Sequence, residues 1–276
     1  MKSRIDQKFA DLRQENRAGF VAYVMAGDPD ADTSLKILQG LPAAGADLIE
    51  LGFPFSDPMA EGPPIQRAAQ RALAGGMTLT GVLELARRFR EGDQTTPLIL
   101  MGYMNLVVHR RIEVFADDAA AAGVDGRIVV DCPPEEAGPL AVALDAADMS
   151  LIRLATPTSD EERLKVIVRG TAGFVYYVSV AGVTGVKEAD ENAVAPMVAR
   201  VRKASGLPVA VGFGIKTPER AAAIARVADA VVVGSALVEV VAEAVEMNED
   251  VTDRVLLKAG SLAKAVRSAR IGQTTV

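Results

Sequence analysis

The chain is poor in the residues that build metal centres and covalent cross-links. Among its 276 residues, Cys132 is the only cysteine and His109 the only histidine. One of each makes neither an intramolecular disulfide nor a Cys/His zinc site. A Ser-His or Cys-His catalytic pair would have to use His109, which stands beside Arg110 and Arg111 and reads as a solvated helix start. Long apolar runs are missing as well. No stretch of about 18 uncharged apolar residues occurs, so no membrane span is expected. The opening Met1-Lys-Ser-Arg-Ile-Asp lacks the apolar core of a signal peptide. A soluble, cytoplasmic protein follows. Positive charge is short too, with 30 Lys plus Arg against 36 Asp plus Glu and a net charge of −6. That balance argues against a nucleic-acid footprint and leaves room for a local phosphate site.

What is present suits a globular protein, with 50% hydrophobic and 24% charged residues. The length fits two small domains or one barrel of about 250 residues. A compact chain of this size buries roughly three-quarters of its unfolded surface, enough for a core without disulfides. Eight apolar runs recur: Phe20–Met25, Leu48–Leu51, Leu98–Met101, Ile128–Val130, Leu151–Leu154, Phe174–Val178, Val209–Val211 and Val231–Val233. They are continuous rather than alternating, the pattern of parallel strands buried on both faces. Amphipathic stretches lie between them, among them Leu35–Leu41, Val82–Phe89, Ile112–Ala122 and Glu219–Val227. Strand alternating with helix implies right-handed βαβ crossovers. The prediction is an α/β fold: residues 1–276 form a single (β/α)8 TIM barrel, with Ile5–Arg13 as an extra N-terminal helix. A doubly wound open sheet would carry Gly-x-Gly-x-x-Gly after its first strand, yet Ala26-Gly27-Asp28-Pro29 stands there. No low-complexity linker divides the chain.

Helix starts agree with this reading. Thr217-Pro218-Glu219 places a hydroxyl at the N-cap, proline at the first helical position and an acid in the first turn. After the fourth strand, Asp131-Cys132-Pro133-Pro134-Glu135-Glu136 predicts two extended residues and then glutamates favouring a helix dipole. Two connections are long, Gly52–Pro64 and Ser179–Ala189. Loops in α/β units usually take about two to six residues, so these read as functional lids. Both leave the C-terminal ends of strands, where barrel active sites are built.

Glu50 interrupts the second strand near its C-terminal end, in Asp47-Leu48-Ile49-Glu50-Leu51-Gly52. Buried without a cation, such a carboxyl is held ready to give or take a proton near neutrality. Paired with a buried Arg or Lys it would be structural, and position alone leaves both open. The next loop adds Asp57, which before a proline also reads as an Asx-turn residue, and Glu61, which also reads as plain loop surface. Phe53, Phe55 and Met59 make that loop apolar, which suggests that it folds over something. Late in the chain, Gly212-Phe213-Gly214 and Gly234-Ser235 close the seventh and eighth strands. Such turns let backbone N–H groups approach a phosphate, and a short helix starting at Ser235 would attract an anion, although tight turns without a ligand read the same way. Carboxylates, an apolar cavity and a phosphate anchor favour proton-transfer chemistry on a phosphorylated small molecule.

These blocks resemble a known family, the alpha chain of tryptophan synthase. The resemblance rests on Ile49-Glu50-Leu51-Gly52-Phe53-Pro54-Phe55-Ser56-Asp57-Pro58, Phe20–Pro29, Ala181-Gly182-Val183-Thr184-Gly185, Gly212-Phe213-Gly214-Ile215 and Gly234-Ser235, in the family's order over nearly the whole chain. It implies cleavage of indole-3-glycerol phosphate to indole and glyceraldehyde 3-phosphate. Glu50 then matches the acid/base that protonates indole C3, and Glu61 the carboxylate that meets the indole N–H. Tyr23 and Tyr176 match pocket residues, and Thr184 a lid residue. Gly185, Gly212, Gly214, Gly234 and Ser235 match the phosphate site. Asp57, Asn105, Asp131 and Pro133 match positions near the partner interface. The implied partner is a beta chain, in an alpha2-beta2 assembly, that joins indole to serine on pyridoxal phosphate. No cofactor or metal is implied for the alpha chain itself. Two departures stand out: Glu61 replaces the family's Asp and Pro64 its Thr. They motivate an alternative, a weakly catalytic regulatory subunit that activates the beta chain. A further alternative is another phosphate-binding barrel with a metal or sugar site.

Overall fold

A computed structural model describes residues 3–179, 191–212 and 214–271. Its eight strands are β1 (Gly19–Met25), β2 (Leu48–Gly52), β3 (Leu98–Gly102), β4 (Gly126–Val129), β5 (Ser150–Ala155), β6 (Val175–Val178), β7 (Val209–Gly212) and β8 (Ala230–Val233). Each pairs in parallel with the next, and β8 returns to β1 to close the barrel. The register aligns Tyr23 with Glu50 and Glu50 with Ile99, so the acid sits mid-wall between β1 and β3. The predicted (β/α)8 barrel is the observed fold.

Twelve helices surround it among the described residues: α1 (Arg4–Gln14), α2 (Ala31–Gly40), α3 (Pro63–Ala74), α4 (Leu79–Gly92), α5 (Met104–Arg110), α6 (Ile112–Ala121), α7 (Gly138–Ala146), α8 (Glu161–Ile167), α9 (Glu191–Ser205), α10 (Pro218–Val227), α11 (Ser235–Glu246) and α12 (Val251–Ser268). None is long and apolar enough to cross a membrane. The extra helix α1 closes the N-terminal end of the barrel. Its buried Ile5, Phe9 and Leu12 lie on one face, and Phe9 meets Phe174 with ring centroids 5.6 Å apart. Gly19, Gly126 and Gly173 leave the space that Leu12 and Ile5 fill.

The same end carries a repeated device. Asp47, Asp125 and Asp229 stand one residue before β2, β4 and β8. Each backbone N–H donates to a carbonyl at the start of the preceding strand, at Phe20, Leu98 and Val209. Each carboxylate accepts the N–H of that same residue, at 2.9, 2.8 and 2.8 Å. An arginine completes every case: Arg17 on Asp47, Arg90 and Arg4 on Asp125, Arg202 on Asp229. The carboxylates thus satisfy strand-entry donors that have no ladder partner and anchor α1, α4 and α9 to the barrel floor.

The elements depart from the sequence expectation where charge or local turns intervene. β4 begins at Gly126 rather than Ile128, because Arg127 belongs to the wall. Its guanidinium is buried 4.1 Å from the Phe53 ring centroid and 5.6 Å from that of Phe115. Phe53 is accordingly buried core and not part of an exposed cover, whereas Met59 is 82% exposed. Pro63 and Pro64 form the first turn of α3, so the second-strand loop ends at Gly62. His109 is solvated, but it lies in the last turn of α5 rather than at a helix start. Glu135 and Glu136 precede α7, whose first turn has no acid; Glu135 instead pairs with Arg163. The helix opening at Ser235 is 12 residues long, not short. Thr217 caps α10 as predicted, its hydroxyl accepting from the Arg220 N–H.

Asp125→Asn should lower unfolding stability by about 3 kcal/mol, because Arg90 stays buried without its counter-charge. Chemical denaturation checks this; a loss below about 1 kcal/mol would mean that the floor pair behaves like a surface pair.

Candidate active site

The C-terminal mouth of the barrel holds a cavity of about 310 Å³, within the range of small-ligand sites. Its wall is mostly apolar: Tyr23, Ile65, Met101, Tyr176, Ile215 and Val232. Two carboxyls, Glu50 and Glu61, enter this wall, and Gly214, Gly234 and Ser235 form another part of it. Of the twelve predicted site residues in the described part of the chain, seven therefore meet in one cavity. Thr184 and Gly185 lie outside the described residues.

Glu50 is fully buried, and neither carboxylate oxygen has a hydrogen-bond partner among the described residues. No lysine or arginine among the described residues pairs with it. Burial, then the charge of Glu61, pushes its carboxyl up to about 8. Glu61 is nearly as buried, which raises it to about 7. It is not loop surface, the other reading its position allowed. Near neutrality the site holds one proton readily on Glu50 and releases one more easily from Glu61. Tyr23 and Tyr176 remain neutral phenols, since burial and the two acids both raise them well above their ordinary range.

The loop that carries Glu61 is tied down on both sides. The Ala60 N–H donates to the Tyr103 hydroxyl at 3.0 Å, and Gln66 donates to the Glu61 carbonyl at 2.9 Å. Tyr103 in turn stacks against Phe55, with centroids 5.1 Å apart, and its carbonyl faces the buried Arg127 at 3.4 Å. Pro64 does not weaken this frame. It occupies the first turn of α3, where backbone N–H groups have no intrahelical acceptor to lose.

Gly212 lies against the Tyr176 phenol. It is absent from the cavity wall, and a Cβ there would overlap the Tyr176 hydroxyl. Gly52 makes the same room for the Tyr23 hydroxyl. These glycines make room for the two phenols that line the cavity. Asp57, Asn105, Asp131 and Pro133 are all exposed, on the segments that follow β2, β3 and β4. Asp131 also caps α5, accepting the Met104 N–H at 2.8 Å. Sequence reading missed Met101, Tyr103, Arg67, Lys216 and Glu239 as site residues. Met101 had a usable signal: it stands two residues after Ile99, the register partner of Glu50, so it shares the inward face.

The pattern of the tryptophan synthase alpha chain family matches residues 9–267. The chain belongs to the tryptophan synthase alpha chain family. It is 77% identical to the tryptophan synthase alpha chain of Phenylobacterium zucineum (strain HLK1) over 269 residues, 98% of this chain and 97% of the relative. With the alpha chain of Caulobacter sp. (strain K31) it shares 71% over 270 residues, 98% of each. Among solved structures, tryptophan synthase subunit alpha from Legionella pneumophila str. Paris superposes with a TM-score of 0.90 at 39% identity, covering 96% of this chain and 99% of that one. As a tryptophan synthase alpha chain it is a carbon–carbon lyase that cleaves indole-3-glycerol phosphate to indole and glyceraldehyde 3-phosphate and works with a beta chain. The regulatory alternative is not favoured, and neither is a metal-dependent sugar-phosphate barrel. No group of three or more potential metal ligands occurs among the described residues.

The raised Glu50 carboxyl predicts a pH dependence of folding. Below about pH 4.5 folded and unfolded chains both carry its proton; between there and about 8 only the folded chain does. Stability contributed by this site therefore falls as pH rises through that window. Glu50→Gln should melt close to the wild type at pH 5 and above it at pH 8.5. Equal melting temperatures at pH 8.5 would contradict the buried, unpaired state.

Proposed function

We propose that Glu50 is the general acid and base of the lyase reaction and that Glu61 is its electrostatic partner. The observation that carries this reading is the unpaired burial of Glu50 in an apolar cavity with a second acid on the same wall. The protonated Glu50 gives its proton to C3 of the indole ring, and the electron deficit moves to the ring nitrogen. The Glu61 carboxylate accepts the N–H there, an interaction that strengthens as positive charge develops and so acts mainly on the transition state. The Glu50 carboxylate then takes the proton of the side-chain hydroxyl next to C3. The carbon–carbon bond breaks, its electron pair returns to the ring, and the hydroxyl carbon becomes the aldehyde. Glu50 ends protonated, as it began. Water kept out by Tyr23, Met101 and Tyr176 keeps the acid's proton on it.

The phosphate is read onto the backbone N–H groups of Gly214, Gly234 and Ser235, at the N-terminus of α11. In the family pattern Thr184 and Gly185 complete the site. The beta chain is read onto the rim bearing Asp57, Asn105, Asp131 and Pro133, where Met59 and Val108 are also exposed. An alpha2-beta2 assembly, pyridoxal phosphate in the beta chain, a cytoplasmic location and a single domain over residues 1–276 belong to the same reading.

Glu50→Gln should lower kcat by about 10²- to 10⁴-fold, the usual worth of a positioned acid–base group, with KM changed little. Single-turnover indole release measures it, and wild-type turnover in the variant would refute the assignment. In the wild type, kcat/KM should fall below about pH 7 as Glu61 gains a proton and above about pH 8 as Glu50 loses one. A profile flat from pH 6 to 9 would contradict both roles.

A further inference from the structure

Three charged side chains on the cavity wall, Arg67, Lys216 and Glu239, have no part in the chemistry above, and the last two form a pair. Lys216, in the loop after β7, donates to both carboxylate oxygens of Glu239, at 2.8 and 3.0 Å. Both residues line the cavity with Gly214, Gly234 and Ser235. Glu239 stands one helical turn after Ser235, the first residue of α11. Helical side chains lean toward the N-terminus, so its carboxylate is carried back over the first turn. There, among the described residues, the first N–H groups lack acceptors: Leu237 and Val238 donate to the Gly234 carbonyl, while Ser235 and Ala236 precede any intrahelical acceptor. Its N-cap residue, Gly234, has no side chain to cap it, and no acid lies in its first turn. It is open to an outside anion, yet Glu239 places a negative charge on the approach.

We propose that Lys216 is the specificity-determining counter-charge of the phosphate end: it neutralises Glu239 and is shared with the phosphate of the incoming substrate. This rests on the phosphate reading given above. An ammonium has three donors, so Lys216 can keep one bond to Glu239 and give another to a phosphate oxygen. The pair is half-exposed, with side chains 51% and 31% accessible, so it adds little to folding and is free to exchange partners. Its effect falls on ligands that carry a phosphate and not on indole, which lacks one.

The test is binding of glycerol 3-phosphate and, separately, of indole to the full chain by titration calorimetry. Lys216→Ala should weaken glycerol 3-phosphate about tenfold, a charge-assisted bond discounted for solvent exposure, and leave indole within about twofold. Glu239→Gln should tighten glycerol 3-phosphate, and the double variant should return close to the wild type. The wild-type preference for glycerol 3-phosphate over inert anions should weaken with added salt. A purely structural pair would lower the melting temperature and leave the ratio of the two affinities unchanged, which overturns the inference. Wild-type chain that binds no glycerol 3-phosphate at millimolar concentration would overturn the phosphate reading itself.

Discussion

A carboxyl held out of water, with no cation beside it among the described residues, sets the terms for the rest of this molecule. Glu50 occupies an inward position of β2, and the barrel around it is organised to keep it neutral. Tyr23 and Tyr176 line the cavity, and Gly52 and Gly212 are the positions that make room for their hydroxyls. Met101 supplies apolar wall on the next strand. A lysine or arginine at any of these places would return Glu50 to the ordinary carboxylate range and remove its proton at neutral pH.

Such a site costs stability, and the opposite end of the barrel supplies some of what offsets it. The three aspartates before β2, β4 and β8 meet every condition that Glu50 lacks: each has backbone donors and a guanidinium. Acids of one chemical type thus hold arginines and strand-entry donors at the floor, while at the mouth Glu50 is buried with no partner among the described residues. The difference is made by neighbours and not by the residues themselves. It follows the usual division of a (β/α)8 barrel, with stability at the N-terminal face and chemistry at the C-terminal face.

Between these ends, Arg127 shows how a charge is tolerated in the wall. Its buried guanidinium lies against two aromatic rings and one carbonyl, and burial depresses its pKa. It supports Phe53 and Tyr103, and through the Tyr103 hydroxyl it bears on the loop that holds Glu61. The longer acid at position 61 therefore sits on a loop pinned from below and beside, which places it in the cavity wall rather than in solvent.

Much of this was legible before any coordinates. Continuous apolar runs specify strands buried on both faces, and their alternation with amphipathic helices specifies parallel pairing; period and order are local properties of the chain. Glu50 was visible as a polar residue inside such a run, and the late glycines as turns able to approach an anion. Their partners were not visible. Whether Glu50 meets an arginine, whether Gly212 faces a phosphate or a phenol, and whether Lys216 meets Glu239 depend on residues far apart in sequence. Only closure of the barrel brings those residues within reach. Sequence determined which groups exist and which face of the wall they occupy; tertiary structure decided which of them meet, because charge, burial and pKa are set by neighbours across strands and not along them.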